Sequence, residues 1–129
     1  MAPPLTIAVK RIHEPADPGD GTRFLVDRLW PRGVSKEKAA LAAWLKPLSP
    51  SDGLRKRYHG ETAESDDAWD EFRFDYFAEL DAAGEEVKAA LFTLDAAAQT
   101  GPVTLLYAAK SEERNNAIAL REWLERRSL

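Results

Sequence analysis

The chain has 129 residues, 44% hydrophobic and 31% charged, which suits one compact core under a charged surface and argues against both disorder and a repeat array. No run approaches the ~18 consecutive apolar residues of a membrane span, and the first residues lack the basic-then-apolar pattern of a secretion signal. Cysteine is absent, which excludes disulfides, thiolate catalysis and cysteine-ligated metal, and with a net charge of −4 points to a single cytoplasmic domain over residues 1–129 without membrane association.

Residues 5–12 (LTIAVKRI) alternate and are β-branched, predicting a strand, and residues 13–22 hold two prolines, two glycines and two aspartates, predicting a loop. A second strand is predicted over residues 23–29 (RFLVDRL), stopped by Trp30-Pro31-Arg32-Gly33. Residues 35–40 read as one helical turn capped by Ser35, and residues 41–46 as a short buried strand ahead of Pro47. The next helix is predicted to have Ser49 at its cap, Pro50 and Asp52 in its first turn, Leu54 and Tyr58 on its inner face, and Gly60 past its end.

Asp66–Asp81 carries the clearest helical periodicity, with Trp69, Phe72, Tyr76 and Leu80 on one stripe and two aspartates at its positive end. A further helix is predicted over residues 85–98, with Val87, Leu91 and Leu94 inward, ended by Gly101-Pro102. Residues 103–108 (VTLLYA) form a nearly continuous apolar run, as in a strand covered on both faces. Residues 110–116 are polar, and residues 112–127 are predicted to close the chain as a helix, with Ser111 at its cap and Ala117, Leu120 and Leu124 inward. The order implies an α/β fold: a small, mostly parallel sheet of about four strands with helices packed on its faces.

Ligands of such sheets gather beyond the carboxyl ends of the strands, where two polar loops, 27–33 and 110–116, are expected to meet. An ionised Asp27 cannot sit unpaired inside a sheet, so it is expected at the strand's end, facing an arginine or a ligand. Arg28 and Arg32 are fork-shaped donors for phosphate or carboxylate, and Trp30 offers a face for a flat ring. Lys110, Asn115 and Asn116 add a cation and two amides at the start of the last helix, where free backbone N–H groups attract anions. The same residues also read as plain architecture: a buried Asp–Arg pair, Trp30 in the core, and ordinary helix capping.

Other chemistries have less behind them. His13 and His59 match no metal spacing, and His59 reads as a favourable helix end, with a proton carrier as the alternative. Asp17-Pro-Gly-Asp20-Gly reads as a turn, because a calcium loop's distal glutamate is missing. No P-loop, dinucleotide fingerprint or Gly-x-Ser-x-Gly is present, and no metal or cofactor is expected. The charge is split: residues 1–58 carry 11 Lys/Arg against 6 Asp/Glu, and residues 59–129 carry 7 against 16. That split fits an anion site, an oppositely charged partner or a homodimer, and equally fits solvated acidic helices.

Residues 26–33 (VDRLWPRG), Leu54-Arg55-Lys56 with His59-Gly60, Trp69 to Phe72 ahead of Tyr76 and Glu79-Leu80, and Thr104-Leu105-Leu106-Tyr107 with Ala109-Lys110 resemble the YeaO-like branch of the DUF 488 family over nearly the whole chain. The resemblance implies a small cytosolic bacterial protein without an assigned biochemical role. Distant relatives carry cysteines where Tyr107 and Asn115 align, and a His-Arg pair where Asn116 and Ala117 align. Near relatives often keep the histidine at 116, so any proton or metal role of that residue is lost or altered here.

Two function classes remain open. One is an enzyme on a small anionic, nucleotide-like substrate: Asp27 as base or orienting carboxylate, Arg28, Arg32 and Lys110 as the anion clamp, and Trp30 or Tyr107 as the ring platform. The other is a non-catalytic module meeting nucleic acid or an acidic protein through its basic half, including Arg55-Lys56-Arg57.

Overall fold

The computed structural model describes residues 7–58, 64–82 and 84–127. Its centre is a four-stranded parallel sheet in the order β1-β4-β2-β3, built from β1 (Ile7–Arg11), β2 (Thr22–Leu25), β3 (Ala43–Trp44) and β4 (Val103–Tyr107). The helices are α1 (Lys36–Ala39), α2 (Asp52–Arg57), α3 (Asp66–Asp81), α4 (Glu85–Thr100) and α5 (Asn116–Arg127), with 3-10 turns at Pro18–Asp20 and Lys46–Leu48.

Alternation along the strands divides the apolar residues between two faces. Phe24, Val26, Val103, Leu105 and Tyr107 join the main core, where Tyr58, Phe72, Tyr76, Leu94, Leu120 and Leu124 of the helical side pack against them. Leu25 and Leu106 point the other way, into a smaller cluster with Ile12 and Ala39, flanked by Trp30, Val34 and Trp44. The long helices thus share one face, and α1 with its flanking loops covers the other. β4 is central and buried at every residue, as its unbroken apolar run requires.

Several boundaries differ from the sequence expectation, each for a local reason. β2 stops at Leu25 rather than Leu29, because its neighbours end: Val26 N–H still reaches Leu106 O at 3.1 Å, and then neither β3 nor β4 offers a partner. The cap of α2 is Ser51, whose Oγ accepts from Leu54 N at 3.2 Å. Ser49 instead donates its hydroxyl to Lys46 O at 2.6 Å and closes the preceding 3-10 turn. The predicted stop at Gly60 lies outside the described residues, as does His59.

The last helix begins at Asn116, not Glu112. Ser111 Oγ accepts from Arg114 N at 3.0 Å and holds a tight turn, while Asn115 Oδ1 accepts from Ile118 N at 2.9 Å and is the cap. The predicted strand at residues 41–46 shrinks to Ala43–Trp44. Ser35 caps α1, α3 spans its predicted residues, and Asp17 with Asp20 forms a capping box over the first 3-10 turn.

Candidate functional site

β2 and β4 are adjacent and parallel, so the chain leaves both at the same edge. Asp27 follows immediately. Its Oδ2 accepts from the Ala108 backbone N–H at 2.9 Å, and its Oδ1 accepts from the Asn116 side-chain amide at 3.0 Å. The same amide donates to Val26 O at 2.9 Å. One carboxylate thereby ties the exit of β2, the exit of β4 and the first residue of α5. Burial pushes the Asp27 carboxyl above the usual carboxylate range, and the bonds from Asn116 and Ala108, with the more distant charge of Arg55, offset this only in part. Tyr76, deep beneath, is held well above the ordinary phenol range, first by its burial and then by the charges of Asp27 and Glu79.

Above Asp27 opens a cleft of about 720 Å³. Arg28, Arg55, Lys110 and Arg114 line it, together with the apolar surfaces of Pro50, Tyr58 and Phe72. Arg28 Nε lies 3.5 Å and Arg55 Nη1 3.1 Å from one oxygen of Asp52, and Arg28 Nε is buried without a hydrogen bond. Arg114 pairs with Asp66, while the Lys110 ammonium has no ion-pair or hydrogen-bond partner among the described residues. Four cations and one carboxylate thus line the cleft, and guanidinium groups suit phosphate or carboxylate oxygens.

The structure brings Asp27, Arg28, Trp30, Lys110, Asn115 and Asn116 to this cleft and leaves Arg32 and Tyr107 outside it. Arg32 is exposed beyond the turn, and Tyr107 is 2% exposed within the main core. Trp30 lines the wall, yet its indole N–H donates to Val34 O at 2.8 Å and its ring meets Trp44 edge-on at 5.6 Å. Asn115 is committed to capping α5, with its amide also donating to Ser111 O at 2.9 Å. Asp27 faces neutral donors, not the arginine that sequence reasoning allowed.

Sequence reasoning singled out neither Arg114 nor the aromatic pair Tyr58–Phe72 as site residues, and treated Arg55 only as part of a basic run. Arg114 lies inside the polar loop already flagged, which is the one signal that pointed to it. His13 lies at a separate cleft of about 460 Å³ beside Glu14 and Lys38. Among the described residues no group of three or more His, Asp or Glu side chains is placed to hold a metal, and no helix is long and apolar enough to cross a membrane.

The sequence profile described as "Inactive DUF488-N3 subclade" matches residues 6–128. The protein called Uncharacterized protein YeaO from Escherichia coli (strain K12) is 43% identical over 120 residues, covering 93% of this chain and 97% of its own. Uncharacterized protein Rv3073c from Mycobacterium tuberculosis (strain ATCC 25618 / H37Rv) and Uncharacterized protein Mb3100c from Mycobacterium bovis are each 35% identical over 121 residues, covering 94% of this chain and 95% of theirs. No solved structure matches the chain. A profile match running through nearly every residue, together with a relative at 43% identity over almost its full length, makes this chain a member of the YeaO-like DUF488 family, in the subclade described as inactive.

Proposed function

We propose that the cleft at the carboxyl edge of the sheet binds a small anionic ligand of phosphate or nucleotide type without turning it over. The observation that carries this reading is the charge of the lining: Arg28, Arg55, Lys110 and Arg114 against Asp27 alone. Tyr58 and Phe72, edge to face at 5.9 Å, add an apolar surface for a flat moiety. Asp27 is occupied as an anchor, with a donor already on each oxygen, so it is poorly placed to accept a substrate proton. The description of the matching subclade as inactive supports binding over catalysis.

A nucleic-acid surface has less support, because within the basic run Arg55 lines the cleft and Arg57 is drawn to Asp75 at 3.7 Å. The test is calorimetric titration with inorganic phosphate, pyrophosphate and AMP at low ionic strength. Saturable one-to-one binding, weakened about tenfold (~1.4 kcal/mol) by Lys110→Ala or Arg55→Gln, is expected. Heats indistinguishable from dilution for all three probes would end the proposal. Conversion of AMP or pyrophosphate by the purified protein would overturn its non-catalytic part.

A further inference from the structure

The cations of the cleft are not evenly free. Arg28 and Arg55 converge on Asp52, and Arg114 is drawn to Asp66. In each pair the cation is the sheltered partner and the acid the exposed one. The side chains of Arg28, Arg55 and Arg114 are 30%, 38% and 29% exposed, whereas those of Asp52 and Asp66 are 63% and 85% exposed. Neither aspartate lines the cleft itself.

The asymmetry has a physical meaning. An ion pair with an exposed carboxylate contributes little to stability, since water screens it and both side chains lose freedom to hold it. The arginines, by contrast, are mostly sheltered in the wall of the cleft. The grip on Arg28 is also incomplete, because its Nε–H is shut away from water yet receives only a 3.5 Å approach from Asp52 Oδ1. A buried donor left in that state favours any oxygen that can close the distance. Lys110, in the same β4–α5 loop as Arg114, also lines the cleft and has no partner among the described residues.

The geometry points to a ligand with two anionic groups, for which Asp52 and Asp66 act as internal stand-ins that the ligand displaces. One group settles on Arg28 and Arg55 at the exit of β2 and the start of α2. The other settles on Arg114 and Lys110 in the β4–α5 loop. Asp52 and Asp66 then swing into solvent, which their exposure already permits. This rests on the reading of the cleft as an anion site, and it narrows the ligand from any small anion to one with two separated anionic groups. It also assigns Asp52 and Asp66 a role as competitors that hold affinity down and keep single anions out.

Both aspartates open helices, so the alternative is that they only serve the positive ends of α2 and α3. Binding distinguishes the two roles, because helix-end charges have no reason to oppose a ligand. The experiment is calorimetric titration of the full chain at low ionic strength with methylphosphonate and with bisphosphonates joined by one, three and five methylene groups. The wild type is expected to bind one of the bisphosphonates at least tenfold tighter than methylphosphonate. Asp52→Asn and Asp66→Asn are each expected to raise bisphosphonate affinity about threefold, and the double variant about tenfold, while Asp95→Asn, whose partner Arg127 is remote from the cleft, changes nothing. Thermal melts confirm that the variants remain folded, and Asp52→Ser and Asp66→Ser, which keep a side chain able to serve a helix start, repeat the test should an Asn variant lose its helix. Methylphosphonate binding as tight as every bisphosphonate overturns the two-anion ligand. Unchanged or weakened affinity in the aspartate variants overturns the stand-in role. In either case wild-type binding would leave the anion-site reading intact, whereas no binding by any protein would remove that reading as well.

Discussion

β2 has an aspartate near each end, and the two are treated differently by their surroundings. Asp20, just ahead of the strand, meets Arg23 at 2.6 Å and Lys10 at 3.1 Å, and its carboxylate accepts from Asp17 N–H at 3.0 Å. Desolvation pushes its pKa up, but the Asp17 bond, the Lys10 and Arg23 bonds and the Lys10 charge together hold it below the usual value. Asp27, just past the strand, has a backbone N–H and a side-chain amide for company, with cations near but not bonded, and burial leaves its pKa raised. Full charge answers the first aspartate and dipoles answer the second. The difference teaches where the fold is settled and where it still has unspent electrostatic demand, and unspent demand is a mark of binding sites.

The largest effect expected from breaking this contrast is at the settled end. Arg23 is 5% exposed and also donates to Ala39 O at 2.9 and 3.1 Å, so Arg23→Met takes the nearer of two cations from the sheltered Asp20 carboxylate and leaves a buried carbonyl without its donors. A loss of about 3 kcal/mol is expected in urea denaturation, and a loss below ~1 kcal/mol would show that Asp20 does not depend on Arg23. At the other end, Asp27→Asn keeps the shape but leaves only one acceptor for two donors. It is expected to cost about 1 kcal/mol and to weaken phosphate binding by loosening the β4–α5 loop.

Acidity separates the two aspartates by sign. Because the folded pKa of Asp27 is raised, the native state holds the proton more tightly than the unfolded chain, and this group's contribution to stability falls as pH rises from the ordinary carboxylate value through its folded one. Asp20 behaves oppositely: its contribution is complete above the ordinary value and is lost as pH falls through its lowered one. The deficit of Asp27→Asn relative to wild type should therefore shrink as pH is raised across the mildly acidic range. A deficit that grows there would reverse the assignment. The smallest effect is expected from Arg127→Gln, whose partner Asp95 lies at the surface: within ~0.5 kcal/mol of wild type by thermal denaturation.

Much of this architecture could be read from the chain. The β-branched alternation before residue 12, the unbroken VTLLY run and the Trp69–Leu80 stripe each state a single periodicity, and the structure follows them. The meeting of loops 27–33 and 110–116 was legible because parallel strands must release their chains at one edge. Errors arose where two residues competed for one role. Ser49 and Ser51 are both good caps, and only the 3-10 turn at Lys46–Leu48, which claims Ser49, decides between them. Ser111 and Asn115 compete likewise, and Asn115 wins because Ser111 is spent on Arg114. In the site, residue type foretold chemistry but not direction: Tyr107 and Trp30 looked equally able to stack on a ligand, yet strand alternation turns Tyr107 into the core. Arg55 and Arg114 are brought in by the helix register of α2 and by a short turn, which no local pattern announces.

Gly21 stands at the start of β2, far from the cleft, with φ 65° and its Cα facing the Pro102 carbonyl so closely that any side chain would collide with it. Thr22 N–H then meets that same carbonyl oxygen at 3.0 Å, and Thr22 pairs with Val103. Counting along both strands from this point places Leu25 against Leu106 and brings Asp27 to Ala108. The glycine is therefore the zero mark of a ruler whose far end is read at the ligand cleft. A substitution there would not touch the cleft, yet by displacing β2 against β4 it would put the anchoring carboxylate out of step with the amides that hold it.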